Sequence, residues 1–462
     1  MRKLDLSGSR SLEKLIDFGE FPNLEWLNLE GCENLVALDP SIGLLRKLVY
    51  LNLDGCYNLI SISNNIFSLS SLEHLHMRGS SKVFNEPIHL KKNKKKRHYI
   101  TESASHSPST SSVFKWTMLP HHSLFSATTT HTSLLPSLRS LHCLREVDIS
   151  FCNLSKVPDA IECLHWLERL NLGGNNFVTL PSLRKLSKLE YLNLEHCILF
   201  EYLPQLPSPT TIGRERDEIN KITGLFIFNC PKLIARERCS SMTYSWMLQF
   251  IKANPRSYFN RTEIVTPGSE IPSWINNWRV GDSIQFDRSP IMHDDNNNVV
   301  GIVCCAVFSM EFHRGRFPSW FNIKLFFNYI IYPFPLIIHE DLITAKSSHL
   351  WITYLPHNSF HEFGKICFKI DVRDGLGMEV KSCGYRWVFK QDLQEFNLTM
   401  MNDKNSLTRK GKILAIEDDI QPQPQPEQVI TTSQRRNNKW ITRKSTSDNA
   451  KTISIVNHKK RY

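Results

Sequence analysis

Leucines recur along this chain in a fixed short frame, Leu-x-x-Leu-x-Leu, with a cysteine or asparagine three positions after the last of them. Leu24, Leu27, Leu29 and Cys32 set the frame, and Leu48, Leu51, Leu53 and Cys56 repeat it 24 residues later. Leu72, Leu75 and Met77 open the next copy, and Leu4, Leu6, Leu12 and Leu15 belong to an earlier one. A second block holds Leu144/Val147/Ile149/Cys152, Leu167/Leu170/Leu172/Asn175 and Leu189/Leu192/Leu194/Cys197, spaced by 23 and 22 residues. A period in this range is the mark of a solenoid. Each Leu-x-Leu is a short strand whose leucines point inward. No unit covers its own leucines, so the units must stack, with the strands parallel along a concave face. The Cys or Asn closes the turn by bonding to backbone groups, the thiol more weakly.

Alternation along a strand sends the residues between the leucines to the open face. The candidate recognition set is therefore Trp26, Asn28, Glu30, Tyr50, Asn52, Asp54, His74, His76, Arg78, Arg169, Tyr191 and Glu195. Taken singly, each is accounted for by a solvated surface. Together, aromatic side chains next to arginine and carboxylates have the composition of protein-binding hot spots. This gives an expected concave protein-binding face, with Trp26, Tyr50 and Tyr191 turned to water.

The period fails between Asn85 and Pro136. That stretch carries Lys91, Lys92, Lys94, Lys95, Lys96 and Arg97 and then a Ser/Thr/His-rich segment. Such a composition buries little and predicts a flexible excursion over 85–137, between repeat blocks at 1–84 and 138–260. The basic run reads as a solvated loop, with a nuclear localisation signal or an anionic-lipid contact as alternatives. After Leu206 the repeats decay. Leu225 to Leu233 reads as one last degenerate strand with an Asn-Cys turn, and helical spacing over Ser241–Ala253 predicts a capping helix. From Thr262 the pattern changes to short apolar or alternating runs at Glu263–Thr266, Ser283–Phe286, Val299–Phe308, Asn322–Phe327, His349–Tyr354, Lys365–Val372 and Glu379–Phe389. Turn residues separate them, which predicts an antiparallel β-sandwich over 261–402. The polar segment 403–462, with its Gln-Pro repeat, predicts disorder.

The net charge of +11 changes little in this picture, because it is concentrated in 91–97 and in the tail. The folded parts are close to neutral, which argues against nucleic acid as the main partner. A basic adaptor gripping nucleic acid or anionic lipid through 91–97 and 435–461 is the alternative reading, and a non-functional truncated product is another. The twelve cysteines have neither zinc-type pairing nor a secreted disulfide framework, so they read as small buried side chains in a reducing compartment. No signal peptide is recognised, and the most apolar run, Val299–Phe308, is too short to span a bilayer. A search for chemistry returns no nucleophile elbow, no His-Glu-x-x-His and no Gly-x-x-x-x-Gly-Lys-Ser/Thr phosphate loop. Cys304–Cys305, His121, His122 and His131, and Asp294–Asp295 read as packing, loop and turn residues. The expectation is a binding protein with no metal, no cofactor and no enzymatic activity.

The Leu-Asn-Leu-x-Gly-Cys units and Asn175–Pro181 resemble the leucine-rich repeats of plant intracellular immune receptors of the TIR–NB–LRR class. Thr266-Pro267-Gly268-Ser269-Glu270-Ile271-Pro272-Ser273-Trp274 is similar to the opening of their post-repeat C-terminal jelly-roll/Ig-like domain. His349–Pro356 and Val380–Arg386 fit its later parts, and the likeness covers roughly residues 1–400. In that domain Pro267, Gly268, Glu270 and Pro272 would shape a turn and Trp274 would anchor the sandwich core. The resemblance implies an α/β solenoid followed by an all-β sandwich, in the cytoplasm or nucleus. Its implied role is recognition of a pathogen effector protein and autoinhibition, with upstream receptor domains or same-family receptors as further partners. The class's TIR and nucleotide-binding patterns do not occur in this sequence, so those activities do not transfer. Met1 falls at the start of a repeat with no polar cap before it. The expectation is that the sequence is the sensing end of a longer receptor.

Overall fold

The computed structural model describes residues 1–14, 17–60, 62, 64–84, 135–208, 222–234, 239–253, 261–285, 298–310, 324–327, 330–333, 347–356, 367–371 and 378–393. The excursion expected over 85–137, apart from its last residues, and the tail lie outside the described residues. Met1–Asn402 is one compact unit.

Seven three-residue strands carry the repeats: β1 (Lys3–Asp5), β2 (Trp26–Asn28), β3 (Tyr50–Asn52), β4 (His74–His76), β5 (Glu146–Asp148), β6 (Arg169–Asn171) and β7 (Tyr191–Asn193). They pair in parallel and in strict order, each central residue opposite the next: Leu4, Leu27, Leu51, Leu75, Val147, Leu170, Leu192. The interruption leaves no gap, since β4 pairs directly with β5. Short 3-10 segments such as Asn64–Ser68 and Leu135–Ser140 return the chain along the other side and stack on each other. The array therefore resumes at Leu135, inside the stretch expected to be an excursion. The frame leucines are almost all fully buried, together with Cys32, Cys56, Cys152 and Cys197.

Such short strands leave many turn groups to be satisfied, and two side chains per unit do it. At the strand end, Asn28, Asn52, Asn171 and Asn193 each accept through Oδ1 from the backbone N–H two residues on, at 2.8 to 3.1 Å. Asp5 and Asp148 do the same. These are Asx turns, which the short carboxamide or carboxylate side chain favours. Further on, each turn residue reaches back to the preceding unit: Cys32 Sγ donates to Leu6 O at 3.2 Å, Cys56 to Leu29 O at 3.3 Å, Cys152 to Met77 O at 3.1 Å and Cys197 to Leu172 O at 3.5 Å. Ser80 Oγ takes this place in the fourth unit, donating to Leu53 O at 2.9 Å. Asn175 does most: its Nδ2 donates to Ile149 O and Leu172 O, and its Oδ1 accepts from Cys152 N and Leu154 N, at 2.8 to 3.2 Å. The residue before this position has positive φ, supplied by Gly31, Gly55, Gly79 and Gly174 in four units and by Phe151 and His196 in two others.

The sheet does not end with the repeats. β8 (Ile222–Phe226) continues it, and β9 (Arg261–Pro267) pairs in parallel with β8. From β9 onward the same sheet turns antiparallel. β15 (Ser347–Pro356), β12 (Val299–Met310), β17 (Met378–Phe389) and β10 (Asn277–Val280) follow in that spatial order. A second antiparallel sheet has the order β11 (Ser283–Gln285), β16 (Cys367–Asp371), β13 (Lys324–Phe327), β14 (Ile330–Pro333). Here β10 and β14 are strands that the apolar runs did not announce. The repeats and the region after them, expected as separate domains, thus share one thirteen-stranded sheet.

Gly224 makes the junction possible. Its φ is +143°, and a Cβ there would sit 1.7 Å from Glu263 O on β9. Only glycine combines that backbone with that approach. Val299–Ser309 is buried throughout, as expected for a strand covered on both faces. Cys304 and Cys305 are both interior, and burial pushes both thiols up, well away from any reactive thiolate. α1 (Pro231–Ile234) and α2 (Cys239–Ala253) follow β8, and α2 packs on β9 through buried Trp246, Met247, Phe250 and Ile251. Trp246 and Phe250, one turn apart, meet edge to face at 4.6 Å. No helix among the described residues is long and apolar enough to cross a membrane.

Candidate functional site on the concave strand face

The parallel register stacks the central face of the array into rows. Trp26 lies opposite Tyr50, Tyr50 opposite His74, His74 opposite Glu146, Glu146 opposite Arg169 and Arg169 opposite Tyr191. The Trp26 and Tyr50 rings stack at 5.2 Å and 11°. Tyr50 also meets His74 at 6.1 Å and His76 at 5.4 Å. Trp26, Tyr50, His74, His76, Asp54 and Arg78 are half-buried and Glu30 is exposed. One side of this aromatic ladder is therefore available to a partner, and the other is used by its neighbours.

The other residues of the candidate set have different jobs. Asn28, Asn52 and Glu195 are 8%, 4% and 4% exposed. The two asparagines do not face water, because their side chains close the Asx turns. Glu195 is covered, and burial pushes its carboxyl up to about 7, against the Asn193 hydrogen bond and the Arg78 charge. Arg169 is held from three directions. Its Nε meets Glu146 Oε1 at 3.3 Å, its Nη1 donates to Ile222 O at 2.9 Å, and its guanidinium lies 3.9 Å from the centre of the Tyr191 ring. Tyr191 is also packed on Phe226 at 5.2 Å. Arg169 and Tyr191 are thus tied into the later repeats by these contacts, and Tyr191 is half-buried like Trp26 and Tyr50 rather than fully turned to water.

Charge on this face is dense and crowded. Burial, with Asp148 nearby, pushes the Asp54 carboxyl up to about 7, although Arg78 N–H donates to its Oδ1 at 2.7 Å. Burial would also raise Glu146, but the His74 hydrogen bond and the charges of Arg169, His76 and His74 outweigh it and hold that carboxyl at about 2. Burial lowers His76, against the pull of Glu146 and Asp148. Arg78 lies over the Phe151 ring at 4.9 Å. Strand alternation turns Glu146 and Asp148 to the same open face, although they are not in the recognition set, and it does not point to Phe151. Glu146 is 72 residues from its partner His74, on the far side of the interruption. The available signal was the unit frame itself, which aligns His74-x-His76 with Glu146-x-Asp148.

In the post-repeat region, Pro267 ends β9 opposite His349, and Gly268 N–H donates to Ser348 O at 3.1 Å. A Cβ on Gly268 would stand 3.3 Å from Leu350 Cβ, so the residue serves close strand approach, and the chain bends at Ser269 and Glu270. Glu270 is exposed and Pro272 half-buried. Trp274 is half-buried, not central to a core. It meets Tyr244 of α2 edge to face at 6.2 Å, and its carbonyl accepts from Arg386 Nη1 at 2.9 Å. It joins the helix to β17.

The stacked strand-and-turn units form a leucine-rich-repeat solenoid. A family profile described as Leucine Rich Repeat matches residues 143–164. The chain is 30% identical over 205 residues to Disease resistance-like protein DSC1 of Arabidopsis thaliana, covering 37% of this chain and 16% of that protein. It is 26% identical over 282 residues to Disease resistance protein LAZ5 of the same plant, covering 56% and 23%. It is 38% identical over 80 residues to TMV resistance protein N of Nicotiana glutinosa, covering 17% and 7%. These homologues are plant TIR–NB–LRR disease resistance proteins, and the chain is similar to a repeat-bearing C-terminal portion of one. It spans at most 23% of the length of these three relatives.

Proposed function

We propose that this chain is the recognition portion of a plant immune receptor, binding a pathogen effector protein through the concave face around Trp26 and Tyr50. The observation that carries the reading is the stacked, half-open aromatic ladder Trp26–Tyr50–His74/His76, edged by Glu30, Asp54 and Arg78. Large rigid aromatics with charged neighbours give contact area at little entropic cost. The similarity to disease resistance proteins supplies the kind of partner. The two-sheet region after the repeats is assigned to the jelly-roll/Ig-like domain of that class. In a whole receptor the same portion would hold upstream domains inactive until the partner binds. The role is binding rather than catalysis.

The test is a display library of secreted pathogen proteins panned against the wild-type chain and a Trp26→Ala/Tyr50→Ala double variant. Trp166→Ala, at the 48% exposed Trp166 outside the strands, serves as control. Binders should lose at least roughly thirtyfold in affinity with the double variant, the scale of two hot-spot aromatics, and nothing with the control. Thermal stability should fall by about 2–3 kcal/mol, the stacking of the pair plus the partial burial of two half-buried rings, and the folded state should persist. Binders that tolerate the double variant, or an empty library, would reject this face.

A further inference from the structure

The concave face carries a cluster that protein recognition does not require. His74 and His76 are two residues apart on β4, so both imidazoles project from the same side of the sheet. Glu146 stands on β5, in direct register with His74. His74, His76 and Glu146 each offer one ligand atom, and these atoms lie within 4.8 Å of one another. His74 Nδ1 already meets Glu146 Oε2 at 3.2 Å. Both side chains are 28% exposed, so an ion can enter from solvent.

The geometry points to a site for a borderline divalent transition ion of the Zn²⁺ kind, held by His74, His76 and Glu146 with a further position open to solvent. Two imidazoles and one carboxylate are the donor set that suits zinc, whereas calcium and magnesium require oxygen donors almost throughout. Tetrahedral bonds of about 2.0 Å place ligand atoms roughly 3.3 Å apart. The longest separation here must close by about 1.5 Å at most, which side-chain rotation on adjacent strands supplies. Arg169 opposes a cation from beside Glu146, while Asp148 and Glu30 lie near His76 and favour one. The ring of Tyr50 walls the site against both histidines, so the ion would sit in the middle of the aromatic ladder.

Equilibrium dialysis and calorimetry of the full chain, stripped with chelator and titrated with Zn²⁺ alone, test this. The wild type should bind one ion that His74→Gln/His76→Gln or Glu146→Gln removes or weakens well beyond the roughly tenfold loss typical of an outer-shell partner. Ca²⁺ and Mg²⁺ should not compete. Co²⁺ should give visible bands of nitrogen and oxygen ligation without thiolate charge transfer, which separates this site from exposed Cys143 and Cys163. On the wild type itself, Zn²⁺ should protect His74 and His76 from diethyl pyrocarbonate in peptide mapping, a readout that stands if a variant fails to fold. Zn²⁺ binding that is unchanged in the double variant, a thiolate spectrum, or unprotected histidines would overturn the site.

Discussion

The two ends of the thirteen-stranded sheet are built by opposite rules. In the repeats, three-residue strands are held by the same few contacts in most units: an Asx turn at the strand end and a back-reaching Cys, Ser or Asn. In the antiparallel end, strands of ten to twelve residues are largely buried on both faces, and polar groups are met by partners that occur once rather than by a repeated set. Buried Glu263 accepts from Trp351 Nε1 at 3.1 Å, and Tyr354 donates to Val300 O at 3.1 Å. A solenoid distributes stability over equivalent units, whereas a packed antiparallel sheet concentrates it in contacts that occur once. Exposure follows the same division. The repeats keep a row of side chains half-open on one face, and the antiparallel end closes over its own.

The sharpest break of the comparison is at the seam. Gly224→Ala drives a methyl group into the Glu263 carbonyl at a φ that alanine does not tolerate. The expected cost exceeds about 4 kcal/mol, at the upper end for a single substitution. It should appear in thermal and urea unfolding as two transitions, or as loss of folding. One transition with an unchanged midpoint would show that the ends do not depend on the seam. Next is Asn175→Ala, which leaves two buried N–H groups and two carbonyls without their partner. About 3 kcal/mol is expected, against about 1 kcal/mol for Cys197→Ala, whose thiol makes one long hydrogen bond. Equal losses in denaturant titrations would mean that the turn position contributes by packing alone.

The effect that is smallest at neutral pH grows as the pH falls. His349 is fully buried where the last repeat turn meets β15. Its Nε2 accepts from Asn229 N–H at 3.2 Å, and burial holds it down at about 4. A base whose folded value lies below its unfolded 6.5 contributes stability above that pH and loses it as the pH falls. Between pH 6.5 and 4 the loss grows to at most roughly 3 kcal/mol. Glu195 acts in the opposite sense, because its raised value costs stability as pH rises from 4.5 through about 7. Subtracting the pH–stability curve of His349→Gln, which keeps an acceptor for Asn229, isolates the histidine. A flat difference between pH 4 and 7 would remove it from the junction.

Periodicity made the repeats legible residue by residue, including strand positions, inward leucines and the Cys/Asn turn. It did not distinguish the asparagines that cap turns from residues that meet a partner, since both occupy outward positions of the frame. Asn52 and Tyr50 look equivalent in sequence, and only the hydrogen bond to Asp54 N–H separates them. In the second half, seven apolar runs announced strands, but β10 and β14 did not stand out. β10 is Asn-Trp-Arg-Val, largely exposed at the sheet edge, and bears no apolar signature.

By itself, then, the sequence determined the local unit, because a leucine frame that no single unit can cover permits only stacking. What only the tertiary structure decided are the contacts across long separations. It placed Glu146 beside His74 over 72 residues of chain, and Asn229 against His349 over 120. It also ran one sheet from the repeats into the antiparallel end. Such pairings depend on register and on the space left by a missing Cβ at Gly224, and neither is written in the spacing of apolar residues along the chain.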